Sequence, residues 1–564
     1  MIGSSLPPFV VFFAGALLVA VTPARLQKIL LLLVPAIAGL QLLAVPADHV
    51  LAIPAMGYEL IPYRVDRLSL LFGYIFTLAA FLGGIFSLHL HDRLQHVAAL
   101  VYAGSALGAV FAGDLITLFV FWELAVISSV FLIWARRTAT SLGAGWRYLL
   151  IQFVSGLLLL AGILIRYNET GSLVFDFIGL EGLSGWLIFL AFGIKCAFPL
   201  LHNWLTDAYP EATPTGTVFL SAFTTKMAVY ALARGYPGTE LLIYIGAVMT
   251  CFPIFYAVIE NDLRRVLAYS MINQLGFMVC GIGIGTSLAM NGAVAHAFND
   301  VIFKGLLFMS MGAVLHMTGK IKATDLGGLY KSMPITTGLC IVGACSISAF
   351  PLFSGFVSKS MVMVAVLQEG HDWVWLALLF ASAGVFHHAG IKIPFFAFFA
   401  QDSGIRTGEP PLNMLLAMGL AAVLCVTIGT WPVMLYGLLP FPVDYAPYTV
   451  THVIAQLQLL FFSALAFSWL KLSGLYPPEI RSINIDAEWA YRWLGPRAIN
   501  QATQVLSRWH AHSRIGFLRQ LGNLFGTLFL YHGPQGILAR TWATGSMVLW
   551  VVILLGIYLV AYYY

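Results

Sequence analysis

Long apolar windows recur along this chain and leave it few folds to choose from. They lie near 9–23, 27–46, 67–89, 97–113, 115–135, 147–165, 186–205, 214–234, 241–260, 264–285, 290–316, 335–365, 373–400, 412–436, 450–470 and 545–563. One helical crossing of a bilayer needs roughly 20 apolar residues. The windows therefore predict about sixteen crossings: an all-α, polytopic membrane helix bundle. Several follow one another with almost no loop, as at Ala112-Gly113-Asp114. The apolar start has no basic stretch before it and reads as a first span, not a cleaved signal.

Composition supports the same class. Of the 564 residues 9% are charged and 60% apolar, with mean hydropathy +0.89, where soluble domains carry about 25% charged residues. No polar stretch before residue 470 is long enough for a separate soluble domain. The net charge of +5 comes with no basic face for nucleic acid. Cys196, Cys251, Cys280, Cys340, Cys345 and Cys425 all lie in apolar runs without a Cys-x-x-Cys pair. They read as small buried hydrophobes, and no metal or redox cofactor is expected.

Basic residues concentrate in the loops that face inside when the N-terminus is placed outside. That arrangement puts Arg25, Lys28, Arg136, Arg264, Lys320, Lys331 and their neighbours inside, and leaves Arg64, Arg67, Arg166 and Arg234 outside. The positive-inside rule then predicts a multi-pass protein of a bacterial inner (plasma) membrane with 471–544 cytoplasmic. The expected organisation is N-terminal spans 1–113, two core halves 114–260 and 261–410, C-terminal spans 411–470, the segment 471–544 and a last span 545–564. Within 471–544, Ile499, Ala502, Leu506, Trp509, Phe517, Leu521, Leu524 and Leu528 recur mostly three and four apart, with Arg508, Arg514 and Arg519 between them. This pattern predicts an amphipathic helix, bounded by Pro496 and Pro534. It would lie on the membrane or a partner, or pack on its own protein.

Half of the ten lysines fall inside apparent spans: Lys195, Lys226, Lys304, Lys359 and Lys392. A central lysine costs about 2.5–3.5 kcal/mol to insert, so each needs a partner or a wet cavity. Glu123 sits mid-span and calls for a buried cation. His296, Asp300 and Lys304 are spaced by four and share one helix face. Histidine can take and release protons near neutral pH, so this stripe reads as a segment of a proton path, although Asp300 could simply be the counter-ion of Lys304. Lys392 lies near a span end, where a snorkelling side chain explains it as well as transport does. His202, His316, His387 and His388 read as interfacial, and Asp66 as a helix cap.

Two spans carry helix breakers. Pro199 follows Lys195, and Pro351 with Gly355 precedes Lys359. Broken backbone at membrane depth is tolerated where it lines a cavity or is buried in protein. The broken spans are the seventh and twelfth. An offset of five inverts topology, which predicts two inverted five-helix repeats with the ion path at the breaks.

Phe121-Trp122-Glu123-Leu124 resembles a hallmark of the antiporter-like subunits of respiratory complex I and of Mrp-type Na+/H+ antiporters. So do Leu201-His202-Asn203-Trp204-Leu205-Thr206-Asp207-Ala208 with Glu211-Ala212, and the run from Asp262 to Ser270. The resemblance spans residues 60 to about 400 in the family's order. It implies that Glu123 pairs with Lys195, that Lys226 is the bridging lysine, that His296 is the central histidine, and that Lys359 ends the path. Where one branch has a second histidine four residues after the first, this chain has Asp300. Lys359 and the overall pattern look most like the D-type Mrp subunit. Segment 471–544 and the last span look like the lateral helix of the largest complex I subunit of this kind.

The functional expectation is a proton/cation-translocating subunit of a Mrp-type antiporter, with no bond-making site of its own. Its expected partners are other membrane subunits, lipid, protons and Na+ or K+. The alternatives are a proton-pumping subunit of complex I or a membrane hydrogenase, and a proton-conducting partner in inorganic-carbon uptake.

Overall fold

The computed structural model describes residues 6–55, 57–481, 484–533, 536 and 543–564. The chain divides into two units, Met1–Asn484 and Ile485–Tyr564. Among the described residues, thirteen helices are long and apolar enough to cross a membrane. The remaining windows correspond to the shorter apolar helices Pro8–Val21, Gly182–Lys195, Pro334–Ile347 and Ser354–Gln368.

The first unit opens with α1 (Pro8–Val21) and α2 (Ala24–Ala44), then a hairpin of β1 (Val50–Ala55) and β2 (Tyr58–Arg64). The apolar windows give no sign of this hairpin. Its strands are antiparallel, with Val50 opposite Arg64 and a register shift between Leu51 and Ile53. α3 (Arg67–Phe86), α4 (Arg93–Phe111), α5 (Leu115–Trp134) and α6 (Ala139–Thr170) follow. Each starts on a side chain that accepts a hydrogen bond from a first-turn amide: Asp66, Asp92, Asp114 and Thr138. These N-caps satisfy amides that the helix cannot, so short polar residues mark where each crossing begins.

The core continues through α7 (Gly182–Lys195), α8 (Asn203–Ala208), α9 (Gly216–Ala222), α10 (Thr224–Gly235), α11 (Glu240–Ile259), α12 (Leu263–Ile284) and α13 (Ser287–Thr318). Then come α14 (Pro334–Ile347), α15 (Ser354–Gln368), α16 (Asp372–Val385), α17 (Leu412–Thr430), α18 (Val433–Tyr436) and α19 (Val450–Leu472). α11 and α12 approach so closely that a Cβ on Gly246 would lie 2.6 Å from the Cys280 amide nitrogen. Small residues permit such contacts where lipid supplies no hydrophobic drive between helices.

Both expected breaks are present, between α7 and α8 and between α14 and α15. They share one local structure. The tetrapeptide Ala-Phe-Pro-Leu occurs at 197–200 and again at 349–352. In each copy the alanine and the leucine have positive φ: Ala197 62°, Leu200 68°, Ala349 58° and Leu352 75°. Proline removes a helix donor and crowds the preceding turn. Left-handed alanine and leucine cost about 1–3 kcal/mol each and persist only where the surroundings enforce them. The same strained turn thus follows both α7 and α14.

The second unit contains α20 (Gly495–His532), preceded by a π-helical turn at Ala490–Leu494, and α21 (Thr544–Tyr563). The amphipathic stripe from Ile499 to Leu528 lies on α20, and Pro496 sits in its first turn. Pro534, expected to end it, lies outside the described residues.

Candidate functional site

The span lysines are buried in the helix bundle. Lys195, Lys226, Lys304, Lys359 and Lys392 are all at most 1% exposed. Each is held by different groups, and those groups define what the axis can do.

Glu123 on α5 is half-buried, with its carboxylate against Gly156 of α6. Lys195, at the end of α7, does not pair with it directly. Its ammonium donates to the Trp122 carbonyl at 2.5 Å and lies 4.2 Å from the centre of the Trp122 ring. The ammonium and the Glu123 carboxylate still act on one another electrostatically, while the direct contacts of the lysine are a carbonyl and a cation–π contact on the neighbouring residue. Trp122 is fixed in turn, because its indole N–H donates to Ser155 Oγ at 3.1 Å and Ser155 donates to the Ala191 carbonyl.

Lys226 on α10 and Asp300 on α13 form an ion pair of 2.5 Å with both side chains fully buried. The lysine also donates to the Ser221 carbonyl at 3.1 Å. Asp300 therefore serves the lysine of another helix. Lys304, one turn further along α13, donates instead to Ser270 Oγ of α12 at 2.8 Å. Asp300 also acts electrostatically on Lys304 and Lys359. One carboxylate thus faces three amines, and it can fully compensate one ammonium at a time.

His296 bonds through both ring nitrogens. Nε2 lies 2.9 Å from Gln274 Oε1 and Nδ1 lies 3.0 Å from Ser358 Oγ. The Gln274 amide donates to Asn273 Oδ1, and Asn273 donates to the Thr250 carbonyl. This order leaves Gln274 Oε1 as an acceptor and assigns the neutral ring a proton on Nε2. Asn299 donates to Ser358 Oγ at 3.1 Å, and the hydroxyl is free to donate to Nδ1. A proton arriving at Nδ1 needs only the Ser358 hydroxyl to swing toward the Ser354 carbonyl, 3.4 Å away.

Lys359 on α15 donates at 3.1 Å to the Ile347 carbonyl, the last residue of α14, and faces the Phe277 ring at 5.0 Å. The break thus supplies the acceptor for the lysine that follows it. A cavity of about 280 Å³ adjoins Lys359, lined also by Ser360, Trp375, His452 and Gln456.

Lys392 lies at the other end of α19. It forms a 2.9 Å ion pair with Glu479 and donates to the carbonyls of Val258 at 2.6 Å and Glu260 at 2.7 Å. Snorkelling is ruled out, because the ammonium is enclosed. Two histidines expected at the interface lie elsewhere. His388 is 0% exposed, and His202 is 2% exposed, so neither is interfacial. Their windows end in irregular turns that fold back into the bundle.

Residues outside the lysine row brace the site. Arg264 is fully buried and donates to the carbonyls of Tyr209, Pro210, Ala212 and Thr213 and to Thr217 Oγ, pinning the chain between α8 and α9. Its two terminal nitrogens make all of these contacts, a spread of donors that a lysine could not supply. Arg147 of α6 holds Asp207 of α8 through two hydrogen bonds of 2.6 and 3.0 Å. Asp66 caps α3 with Ser69 and pairs with Arg234 at 2.6 Å. Gln274, Ser270, Ser358, Asn299 and Glu479 join the site without any forewarning in the sequence, since single polar residues in apolar runs carry no spacing signal.

The family described as NADH:quinone oxidoreductase/Mrp antiporter, TM, matches residues 112–434. An Na(+)/H(+) antiporter subunit of Alkalihalophilus pseudofirmus is 30% identical over 433 residues, covering 67% of this chain and 53% of that protein. Hydrogenase-4 component B of Escherichia coli is 26% identical over 425 residues, covering 67% of this chain and 63% of that protein. The chain thus spans less than two thirds of the length of either relative. A chain of the membrane-bound sulfane sulfur reductase (MBS), an archaeal respiratory membrane complex, has the same fold, with TM-score 0.72 and 21% identity over 98% of this chain and 99% of that one. The family match covers more than half of the sequence, from the α5 cap past the Lys359 break, and this protein belongs to the NADH:quinone oxidoreductase/Mrp antiporter transmembrane family.

Proposed function

We propose that this chain translocates protons or monovalent cations as one subunit of a multi-subunit membrane complex. Protons would pass along Glu123, Lys195, Lys226 with Asp300, His296, Lys304 and Lys359, from one core half (114–260) to the other (261–410). The Lys226–Asp300 pair carries this reading. It is a fully buried ion pair of 2.5 Å joining the two halves, and its carboxylate also acts on Lys304 and Lys359. A purely structural pair would not need uncompensated lysines beside it, because an unpaired buried charge is strongly unfavourable. Movement of the Asp300 charge from one amine to the next transfers compensation, and the proton follows.

The finer assignment is to a Mrp-type Na+/H+ or K+/H+ antiporter of a bacterial inner membrane, with the N-terminus outside and 471–544 in the cytoplasm. The Na(+)/H(+) antiporter relative supports it. A second reading, a proton module of a hydrogenase or respiratory complex, is favoured by the hydrogenase-4 relative and by the near full-length likeness to MBS. Everted vesicles from a host with and without this gene separate the two. Loss of sodium- or potassium-driven pH recovery supports the antiporter. Intact recovery with lost redox-driven acidification supports the second. Parental behaviour in both assays would sink the translocation reading.

A further inference from the structure

α16 leaves regular α-helical geometry midway. After Val385 it continues as π-helical turns at Phe386–Lys392 and Phe395–Phe399. Pro394 accounts for the departure, since it lacks a donor and its ring crowds the turn before it. Such π segments occur often at functional sites, and this one carries His388 and Lys392.

His388 is wholly buried, and among the described residues neither ring nitrogen has a hydrogen-bond partner of regular geometry. The backbone group acting on it is the carbonyl of Gly384, one turn back. The charged and titratable groups acting on it are Lys304 of α13 and His387 and Lys392 of its own helix. Beyond Lys392 stand Glu479, the carbonyl of Glu260 and Lys471. Glu479 lines a cavity of about 350 Å³ shared with Thr324, Gln401 and Lys471, of which Gln401 and Lys471 are exposed. This cavity adjoins the C-terminal end of α19, whereas the Lys359 cavity adjoins its N-terminal end. Lys304 thus has titratable neighbours toward two mouths at opposite ends of one spanning helix.

We propose that His388, Lys392 and Glu479 form a side branch that carries protons between Lys304 and the cavity at Lys471. The proposal rests on the reading that the chain moves protons. A proton arriving from that cavity neutralises the Glu479 carboxylate. Lys392, left without its counter-ion, passes a proton to one nitrogen of His388. The ring releases the proton on its other nitrogen to neutral Lys304. Neutral Lys392 then takes the proton from Glu479, which restores the ion pair and leaves one proton moved. Burial holds the Glu479 carboxyl above the usual carboxylate range, against the pull of Lys392.

The test uses everted vesicles of the native host carrying His388→Ala, His388→Gln, Glu479→Gln or Lys226→Met in the chromosomal copy. Ala at 388 should slow proton translocation by about 10²-fold, the scale of a lost acid–base group. Added imidazole should restore part of the rate, which a merely structural role would not allow. Glu479→Gln should slow flux and shift its pH profile. Gln at 388 fills the space without exchanging a proton, so it decides the matter if the Ala variant fails to assemble. Parental flux with His388→Gln and Glu479→Gln while Lys226→Met is silent overturns the branch alone. Parental flux with Lys226→Met overturns the translocation reading itself.

Discussion

Asp300→Asn isolates the charge on which the axis turns. Asparagine has nearly the same shape but cannot balance the Lys226 ammonium. That ammonium would keep one hydrogen bond, to the Ser221 carbonyl at 3.1 Å, with no access to solvent. Removing one partner of a buried pair costs about 3–5 kcal/mol. At about 1.36 kcal/mol per decade, this amounts to two to four decades of rate if the charge must form in each turnover. Lys304 and Lys359 lose the same carboxylate. Proton translocation in everted vesicles should therefore fall at least about 10²-fold, with protein content tracked by immunoblot. The double variant Asp300→Asn/Lys226→Met removes both charges, so it should assemble better than the single one while staying inactive. Asp300→Asn vesicles that keep more than half the parental rate, with normal protein content, would refute the argument.

Gly156→Ala should improve the intrinsic helix propensity of α6 by about 1 kcal/mol, yet its Cβ would fall on the Glu123 carboxylate. The expected outcome is an assembled protein with up to about 10²-fold slower translocation; an unchanged rate would mean that this carboxylate position is irrelevant. Leu200→Gly and Leu352→Gly remove left-handed leucines that are 78% and 57% exposed, so relief of about 1–2 kcal/mol outweighs lost packing. Each should raise the melting temperature in detergent, and a fall would show that the leucines are anchors. Burial raises the Asp66 carboxyl, but Arg234 and the Ser69 amide outweigh it and hold it below its ordinary value. A lowered folded value stabilises above the unfolded pKa, about 3.9, and that stability is lost as pH falls through the folded one. Asp66→Asn should flatten this acid limb in a pH series of thermal melts, and an unaltered limb would assign it to other carboxyls.

The sequence by itself determined the class of fold and the lysine row. Apolar windows of crossing length can only be helices in lipid, and a lysine inside one must be enclosed or functional. Pro199 and Pro351 likewise placed both breaks, because a missing donor acts locally whatever surrounds it. What stayed hidden depended on which helix fills the far side of a face. Four-residue spacing set Asp300 beside Lys304, but the tertiary structure turned it to Lys226 on α10. Lys195 found the Trp122 carbonyl before the Glu123 carboxylate, since a flexible four-carbon stem takes the nearest acceptor that packing offers. The β1–β2 hairpin lay in a stretch too short and mixed to announce itself. His388 looked interfacial by position, yet in the π-helical stretch of α16 it is buried, where Lys304 acts on it electrostatically. Spacing assigns residues to faces; only the packing of the helices assigns faces to one another, and there the buried charges find their partners.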